Sequence, residues 1–429
     1  MKRLQEACKP VIRFFRQRRP VFRWKGVDDP RSRRGRRFAL PAILNNILLA
    51  MMCGANSIRS AVGKSERFDT LARWLGAGLC CGRTAIGDLL PRLSPKQLRA
   101  SLVHLIRGEW RRKALAPDRF PLGMVAVDGK VLWSDRHSFH PESQDQSGDQ
   151  SDREWRGHRS WVLRVLRAAL VSCASCPVVD QQVIPAATNE VGFFATFFRA
   201  MMDAYGRLGM IQVVSADAGL VSRANADLVR KEGVHYIFRL KSPQVELWRE
   251  ANRVLPLLAE RTGPEAETDW ESDTRGRVKR QLWRTPDMAG WNDWDHLAQV
   301  WLVRTLLEQK DGTVKVIENR YYLSSLGWYR LNGRQILDAV RFHWGVENNA
   351  NGTADVFFDE DNSPCSKTGD GIVCASLLRL IAINLCQLYR HRSRSKGKRK
   401  PSWTNTFDDV LLTLRLPLLL VKKDFDCKT

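Results

Sequence analysis

The sequence has few long hydrophobic runs, and the two most apolar ones lack the roughly 20 uninterrupted residues that a membrane span needs. Residues 38–55 are interrupted by Asn45, and residues 410–421 are interrupted by Arg415 and Pro417. The N-terminal Lys and Arg residues are not followed by the apolar segment of a secretory signal. These absences predict a cytoplasmic protein without a membrane partner.

Acidic residues are scarce relative to basic ones, with 46 Asp and Glu against 69 Lys and Arg and a formal net charge of +23. Such an excess requires an anionic partner, and nucleic acid is favoured over an acidic membrane surface. The chain has 429 residues and is 44% hydrophobic. It can therefore bury a large core, and we expect two or three structural units.

The cysteines do not form a recognisable disulfide pattern. Ten of them are spread along the chain, and several lie inside apolar segments, such as Cys53, Cys374 and Cys386. Cys173 and Cys176 have the spacing of half a zinc site, but no second pair stands at a matching distance. We therefore favour buried small apolar residues over metal ligands.

The periodicity of apolar residues changes along the chain. Between residues 40 and 112 it is helical, with polar breaks near Gly54, residues 76–82 and residues 94–96. After Pro121, GMVAVD, WVLRVLRAALVSC and VVDQQVIPA are predicted as antiparallel strands, followed by a helix, the strand MIQVVSAD, a second helix and the strand HYIFRLK. This is the order of a ribonuclease-H-like core, so we expect an α/β fold.

A β-rich insertion and further helices follow this core. Charged turns and apparent strands fill residues 244–326, and helices are predicted from Asn332 and after Pro364. The predicted organisation is a basic arm (1–38), a helical domain (39–115), the first part of a ribonuclease-H-like core (120–245), a β-rich insertion (246–328), the last core helices (329–392) and a basic linker with the C-terminal segment (393–429).

Basic residues are concentrated in two segments whose roles stay open. The first forty residues interleave Arg and Lys with Phe14, Phe15, Phe22 and Trp24. They predict either phosphate binding with stacking on bases, or a solvated arm that adds only nonspecific attraction. The run RHRSRSKGKRK is either a DNA-contacting tail or a disordered linker, and residues 134–153 are predicted as an exposed mobile loop.

Three acidic residues occupy positions where an acid has little structural reason to be. Asp128 ends GMVAVD, Asp217 ends IQVVSAD, and Glu347 lies on the apolar face of the helix predicted from Asn332. Carboxylates at strand ends beside a helix are how proteins hold divalent metal for phosphoryl transfer. Two Mg²⁺ ions roughly 3.5–4 Å apart would offset their repulsion, activate a water or a 3′-hydroxyl and stabilise the leaving oxygen, and Mn²⁺ is expected to substitute.

Each of these acids also has a structural alternative. Asp128 precedes a glycine, a common turn pair, and Asp217 precedes Ala-Gly and could cap a helix. Glu347 needs a partner if it is buried, and Arg341 or His343 could supply one. Taken singly, each acid fits an ordinary structural role.

Several strings, taken in order, resemble bacterial insertion-sequence DDE transposases related to the H-repeat-associated proteins. They are VAVDGK, VSADAG, YYLSSL, HWGVEN and DVFFDED, preceded by DPRSRRGRRFALPAILNNILLAMMCGA, with weaker matches in ATNEVGFF, YIFRLKSPQ and RGRVKRQ. The resemblance covers residues 29–389. It implies a helical transposase-associated domain, a ribonuclease-H-like core, divalent metal and cut-and-strand-transfer chemistry. It places the catalytic, metal-binding acids on Asp128, Asp217 and Glu347.

The chain departs from the family pattern at two places. Ala350, Asn351 and Gly352 stand where the family usually has Leu-His-Trp, which removes bulk and a phosphate contact and predicts an early helix end at the glycine. The family's His-Gly-Arg segment appears with Arg275 and Arg277 at its two ends, which adds positive charge to the insertion.

Several basic and polar residues near these acids and in the insertion are candidates for DNA contact. Lys130 follows the first acid, Lys241 belongs to YIFRLKSPQ, and His343 and Asn348 flank Glu347. The predicted DNA-binding residues are Lys130, Lys241, Arg275, Arg277, Lys279, Arg280, His343 and Asn348. A lone surface lysine at the first position and a structural hydrogen bond at His343 are the alternatives.

These observations together predict a metal-dependent DDE transposase that binds element ends and target DNA, hydrolyses the phosphodiester bond and transfers the 3′ end. Synapsis of two double-stranded ends implies a homodimer, in a bacterial cytoplasm and associated with the nucleoid. Two alternatives stay open: a catalytically inactive DNA-binding relic, and a nuclease that cuts without joining strands. Trp283, Trp291 and Trp294 are predicted either to stack on an unpaired base or to pack in the core.

Overall fold

Ten strands form one mixed sheet in the computed structural model, which describes residues 2–79, 81–135, 161–241, 245–393 and 400–416. The strands are β1 (Met124–Asp135), β2 (Trp161–Leu170), β3 (Val178–Val183), β4 (Val213–Ala216), β5 (His235–Leu240), β6 (Ala266–Glu267), β7 (Glu271–Asp273), β8 (Gly276–Thr285), β9 (Gln299–Glu308) and β10 (Val314–Ser324). Their order is β3-β2-β1-β4-β5-β10-β9-β8-β6, and β7 pairs with β8. The chain is therefore a mixed α/β structure around one large sheet.

Helices precede, connect and follow the strands. They are α1 (Lys2–Arg18), α2 (Leu40–Met52), α3 (Ile58–Ser65), α4 (Thr70–Trp74), α5 (Arg83–Leu89), α6 (Pro95–Arg111), α7 (Glu190–Tyr205), α8 (Arg223–Lys231), α9 (Val245–Arg261), α10 (Gly333–His343), α11 (Gly352–Phe358), α12 (Gly369–Arg392) and α13 (Trp403–Leu414). A π-helical turn, Val346–Asn351, joins α10 to α11.

The first five strands contain the apolar runs that predict them, but β1 continues to Asp135, so the predicted position of Asp128 at a strand end is wrong. β2 is antiparallel to β1 and to β3, whereas β4 is parallel to β1 and to β5. The two crossover helices, α7 and α8, begin at polar caps, because the side chains of Asn189 and Ser222 accept hydrogen bonds from backbone N–H groups of the first helical turn. This segment sets two acid-bearing strands, β1 and β4, side by side.

The predicted insertion continues the same sheet. β10 pairs with both β5 and β9, and β9 pairs with β8. The insertion begins with helix α9, which the sequence analysis missed; its Leu247, Ala251 and Leu255 are buried at helical spacing. Trp283 and Trp294 are buried, which supports core packing over base stacking for both.

The first helix packs on the core and is not a free arm. Phe14, Phe15, Phe22 and Trp24 are all buried, so the prediction that these aromatic rings stack on bases is wrong. The ring of Phe14 lies 5.6 Å, centre to centre, from that of Tyr389 in α12. Removing the apolar surface of these rings from water favours docking of the first helix over a free arm.

Helix α1 is also held to α6 by a buried ion pair. The guanidinium of Arg18 donates to Glu109 at 2.5 Å, and neither side chain is exposed. The helices of residues 40–112 end near the predicted polar breaks, and their buried side chains belong to the same continuous core as those of the sheet. Contacts of α2 and α6 with α12 join the two groups of elements.

Helix α12 is long and apolar enough, by length and composition, to cross a membrane, yet its 18-residue apolar segment is entirely buried within the protein. The cysteines of the described segments are free, and Cys173 and Cys176 are buried. Burial raises the pKa of Cys176 to about 12, so its thiol stays protonated at neutral pH. These two cysteines therefore behave as the small apolar residues that were predicted.

Helix α10 begins at Asn332, as predicted, where the side chains of Asn332 and Gln335 form a reciprocal capping box. The predicted continuous helical face through Glu347 is wrong. Helix α10 ends at His343, and the π turn that follows changes the direction in which Glu347 projects. The predicted helix end at Gly352 is also wrong, because Gly352 adopts helical angles (φ −60°, ψ −33°) and begins α11.

Two predicted segments fall largely outside the described residues. They are the Ser- and Asp-rich loop, residues 134–153, and the basic run after residue 390.

Candidate active site

The pairing of β1 with β4 brings the first two acids together. Val127 of β1 is in register with Ala216 of β4, so the next residue of each strand is Asp128 and Asp217. Because the two strands are parallel neighbours about 4.8 Å apart, residues at the same level are adjacent. Two carboxylates that are distant in the chain thus stand side by side where the pairing of β1 with β4 ends.

The π turn places the third acid beside them. The turn contacts both β1 and β2, and Glu347 is half-buried within it. Neither Arg341 nor His343 pairs with Glu347: Arg341 forms an ion pair with Glu271, and His343 shares a hydrogen bond of 2.9 Å with Ser215. The structural partners that sequence suggested for Glu347 are therefore engaged elsewhere.

The electrostatics of the cluster show that these acids lie close enough to repel one another. Burial, followed by the charges of Glu347 and Glu190, raises the pKa of Asp128 to about 7. Burial and the charge of Asp217 also raise the pKa of Glu347. Such a cluster is unfavourable until positive charge reaches it.

Asp217 already has cationic neighbours. Lys241 donates to one of its carboxylate oxygens at 3.0 Å, and Arg239 of β5 donates to the other at 3.4 Å. Burial raises the pKa of Asp217, but the hydrogen bonds from Lys241 and the backbone of Ala218, with the two positive charges, bring it below its ordinary value. Lys241, predicted to contact DNA, thus lies within the acidic cluster.

A fourth carboxylate, Glu190, belongs to the same cluster. Glu190 is the first residue of α7, and a Cβ atom on Gly129 would lie only 2.2 Å from its Oε1. A Cβ on Gly219 would lie 3.6 Å from its Oε2. The carboxylate of Glu190 therefore occupies space that glycines leave open just beyond both Asp128 and Asp217.

Asn351, at the end of the π turn, holds the first acid directly. Its Nδ2 donates to Oδ2 of Asp128 at 3.0 Å, and its Oδ1 accepts from the buried guanidinium of Arg167 at 2.9 Å. Asn351, which departs from the family pattern, thus links Asp128 of β1 to Arg167 of β2.

Two residues predicted to bind DNA are engaged inside the protein. The ammonium group of Lys130 lies 2.5 Å from Asp355 and 3.0 Å from Asp361, and its side chain is 8% exposed. His343 is buried, and burial lowers its pKa to about 4, so the ring is neutral at pH 7. The hydrogen bond with Ser215 favours the structural alternative for His343. The alternative of a lone surface lysine at Lys130 is wrong, because its ammonium group is nearly buried among acidic side chains.

The remaining predicted DNA-binding residues lie on the insertion and the π turn. Four cations on or next to β8 each have an acidic partner: Arg275 with Asp273, Arg277 with Glu308, Lys279 with Glu267 and Arg280 with Glu271. Arg275, Arg280 and the exposed Asn348 line a cleft of about 580 Å³ between β7–β8 and the π turn. Partly exposed pairs of this kind contribute about 0–1 kcal/mol, so an anionic ligand can replace the acids.

The acids do not form a ready-made metal cage in this arrangement. Among the residues that the structure describes, no three His, Cys, Asp or Glu side chains are grouped closely enough to hold an ion. Asp217 faces Lys241 and Arg239, and Asp128 faces Asn351.

The comparison with protein families defines the class of the chain. A family profile described as the transposase DDE domain matches residues 125–385, more than half of the chain. The matched segment runs from β1 into α12 and contains all the acids of the cluster. The protein therefore belongs to the DDE transposase family, as its sequence motifs predicted.

Two curated proteins of Escherichia coli (strain K12) are similar to this chain. The H repeat-associated protein YhhI and the protein YbfL are each 27% identical to it over 272 residues. The aligned part is 61% of this chain and 63% of each relative, so the match spans less than two thirds of their length. Among solved structures, a piggyBac transposase synaptic complex with hairpin DNA aligns with a TM-score of 0.44 and 12% identity, over 99% of this chain and 80% of that one.

Sequence reasoning missed Glu190, Asn351 and Arg239. Glu190 lies in ATNEVGFF, where a Glu after an Asn cap is the ordinary signature of a helix start. Asn351 was noted only as a loss of bulk. A signal for Glu190 existed in the two glycines that follow the first two acids, but only the fold shows that both face the same side chain.

Proposed function

We propose that the protein is an insertion-sequence DDE transposase that hydrolyses phosphodiester bonds at element ends and transfers the 3′ ends to target DNA. The observation that carries the proposal is the register of Val127 with Ala216, which makes Asp128 and Asp217 neighbours. The order β3-β2-β1-β4-β5 supports a ribonuclease-H-like core, and α2–α6 are the candidates for the transposase-associated domain. Asp128, Asp217 and Glu347 are the proposed catalytic acids.

The donor set fits a divalent metal. Carboxylate oxygens are the ligands that Mg²⁺ and Mn²⁺ prefer. Burial, and after it the charges of neighbouring acids, raise the pKa values of Asp128 and Glu347, and a bound cation would favour the charged form of both. Asp128, Asp217 and Glu347 would hold two Mg²⁺ ions, which supply activation of the attacking oxygen and stabilisation of the leaving oxygen. Lys241 and Arg239, beside Asp217, are positioned to bind the scissile phosphate.

The experiment that tests this function is cleavage of a labelled duplex carrying the terminal sequence of the element. We expect nicking with Mg²⁺ or Mn²⁺, no nicking with EDTA, and joining of the freed 3′ end to a target duplex. Binding without nicking would identify an inactive relic, and nicking without joining would identify a nuclease. Synapsis of two ends implies a homodimer, and a DNA substrate implies a place at the bacterial nucleoid.

The basic residues of the insertion are proposed to hold the DNA backbone. Replacing Arg277 and Lys279 together by Met removes two cations from β8. The negative slope of the logarithm of the DNA association constant against the logarithm of the salt concentration should therefore become shallower by about 1.8. Fluorescence anisotropy of a labelled duplex between about 50 and 200 mM salt measures this slope. The matched control is Lys64→Met with Arg67→Met, on and next to α3. An unchanged slope in the β8 variant would show that Arg277 and Lys279 do not contact the DNA backbone.

Glu190 is expected to contribute to the metal site from its place beside Gly129. Glu190→Gln keeps the shape of the side chain and removes its charge, and cleavage should fall by about 10- to 100-fold. Single-turnover cleavage measures the effect. The control is Glu246→Gln, which removes a similar charge from the first turn of another helix, α9. Equal rates for wild type and Glu190→Gln would show that Glu190 only stabilises the start of α7.

A further inference from the structure

Lys130 lies on β1 two residues after Asp128, where a transposase could use it to bind phosphate. Its Nζ instead contacts Asp355 at 2.5 Å, Asp361 at 3.0 Å and Glu360 at 3.7 Å. Asp355 belongs to α11, the helix that directly follows the π turn, and Asp361 follows that helix. A nearly buried ammonium group with three carboxylates around it is held firmly. If the lysine side chain moved away, the partly buried carboxylates would be left without a positive partner, which is unfavourable.

A second set of contacts ties the same segment to β1 and β2. Asn351 donates to Asp128 and accepts from Arg167, whose guanidinium is fully buried and also donates to Glu360 at 2.9 Å. Arg167 is directly opposite Asp128 in the pairing of β2 with β1. The acid on β1 and the turn that carries Glu347 are thus joined by side-chain hydrogen bonds.

The back of the π turn is held separately by α12. The side-chain amide of Gln387 donates to the backbone oxygen of Asn349 at 2.9 Å. A π-helical turn is rarely stable by itself, because its hydrogen-bond geometry and backbone angles are less favourable than those of an α-helix. Its position therefore depends on contacts with its neighbours, which include Gln387 of α12 and, at its end, the polar contacts of Asn351 with β1 and β2.

We propose that Lys130, Asn351, Asp355 and Asp361 form a polar clamp that sets the position of Glu347 relative to Asp128. In this clamp Lys130 and Asn351 are positioning residues, and Lys130 does not contact DNA. The proposal rests on the proposed metal-dependent function. It also assigns a role to DVFFDED, since Asp355, Glu360 and Asp361 of that string are the acids that surround Lys130.

The clamp is tested by measuring Mn²⁺ affinity of the full chain without DNA, using isothermal titration calorimetry. Lys130→Met and Asn351→Ala should each weaken Mn²⁺ binding by about 10- to 100-fold, as the loss of ligand-orienting residues does. Lys130→Arg keeps the charge and should bind Mn²⁺ like wild type. Arg223→Met, which breaks the exposed pair with Asp293, is the matched control and should change nothing.

Two further measurements separate the clamp from its alternatives. Lys130→Met should bind an element-end duplex within about twofold of wild type at a fixed salt concentration, whereas a phosphate contact would weaken DNA binding with Mn²⁺ affinity unchanged. Thermal unfolding followed by circular dichroism detects a merely structural role. In that case the midpoint temperature of unfolding of the variants falls while their Mn²⁺ affinity stays that of wild type. Either of these results would overturn the proposal.

Charge exchange keeps the test decisive if single variants fold poorly. Lys130→Glu combined with Asp355→Lys should recover part of the Mn²⁺ affinity that Lys130→Glu loses, and no recovery would contradict the clamp. Wild type that binds no Mn²⁺ would overturn the proposed metal-dependent function, and the clamp with it. Wild type that binds Mn²⁺ no better than Lys130→Met and Asn351→Ala would overturn the clamp alone.

Discussion

Replacing Asp128 by Asn, Asp217 by Asn or Glu347 by Gln is expected to lower cleavage of an element-end duplex at least a thousandfold. Each change keeps the shape of the side chain and removes its charge. A thousandfold loss corresponds to about 4 kcal/mol of transition-state stabilisation, and a metal ion contributes several kcal/mol of this kind. Single-turnover cleavage with Mg²⁺ and Mn²⁺ measures the rates.

DNA binding must be measured on the same variants, because loss of binding would also abolish cleavage. All three should bind the duplex at least as tightly as wild type, since each removes a negative charge next to the phosphate path. Asp295→Asn, an exposed acid of the insertion, is the control and should cleave like wild type. Cleavage that persists in any of the three acid variants would show that the active site lies elsewhere.

Arg167→Met is expected to lower the free energy of unfolding by about 3–5 kcal/mol, the usual result of breaking one side of a buried ion pair. The guanidinium of Arg167 is fully buried and donates to Gln181, Asn351 and Glu360. Its loss leaves Glu360, which is only 2% exposed, with a remote contact to Lys130 at 3.7 Å and a hydrogen bond from Ser376. Urea denaturation followed by circular dichroism measures the effect.

The double variant Arg167→Met with Glu360→Gln identifies the cause. Removing the charge of Glu360 as well should recover part of the lost stability, because the buried carboxylate is then no longer unpaired. Arg223→Met breaks an exposed pair and should cost less than about 1 kcal/mol. If Arg167→Met is no more destabilising than this control, the buried network is not a source of stability.

The strands and their acids were predictable because their signals are local. GMVAVD and IQVVSAD are apolar runs that end in a charge, and in both strands the pairing of β1 with β4 stops just before that charge. Asn332 marks the start of α10, and Gln335 follows it at the spacing of a capping box. Helix α9 was missed because Pro256 and its many charged residues are typical of turns, although the leucines at its helical spacing are buried.

The errors concern residues whose partners are far away in the chain. Phe14 and Phe15 alternate with arginines in a pattern that fits an arm, yet docking on α12 buries them. Lys130 resembles a surface lysine until α11 brings Asp355 to it. Glu347 fits an uninterrupted helical face until the π turn shifts the register. None of these contacts has a signature within a few residues of the position it changes.

The sequence by itself determined the kinds of elements, the excess of positive charge and the positions of Asp128 and Asp217 directly after buried apolar runs. These properties depend on neighbouring residues, whose propensities and periodicity are set before any tertiary contact forms. The tertiary structure alone decided that Glu190 joins the acids, that Lys241 faces Asp217 and that Lys130 turns inward. Such contacts depend on strand register and helix packing. A buried charge needs a partner, and the fold decides which oppositely charged group lies near it.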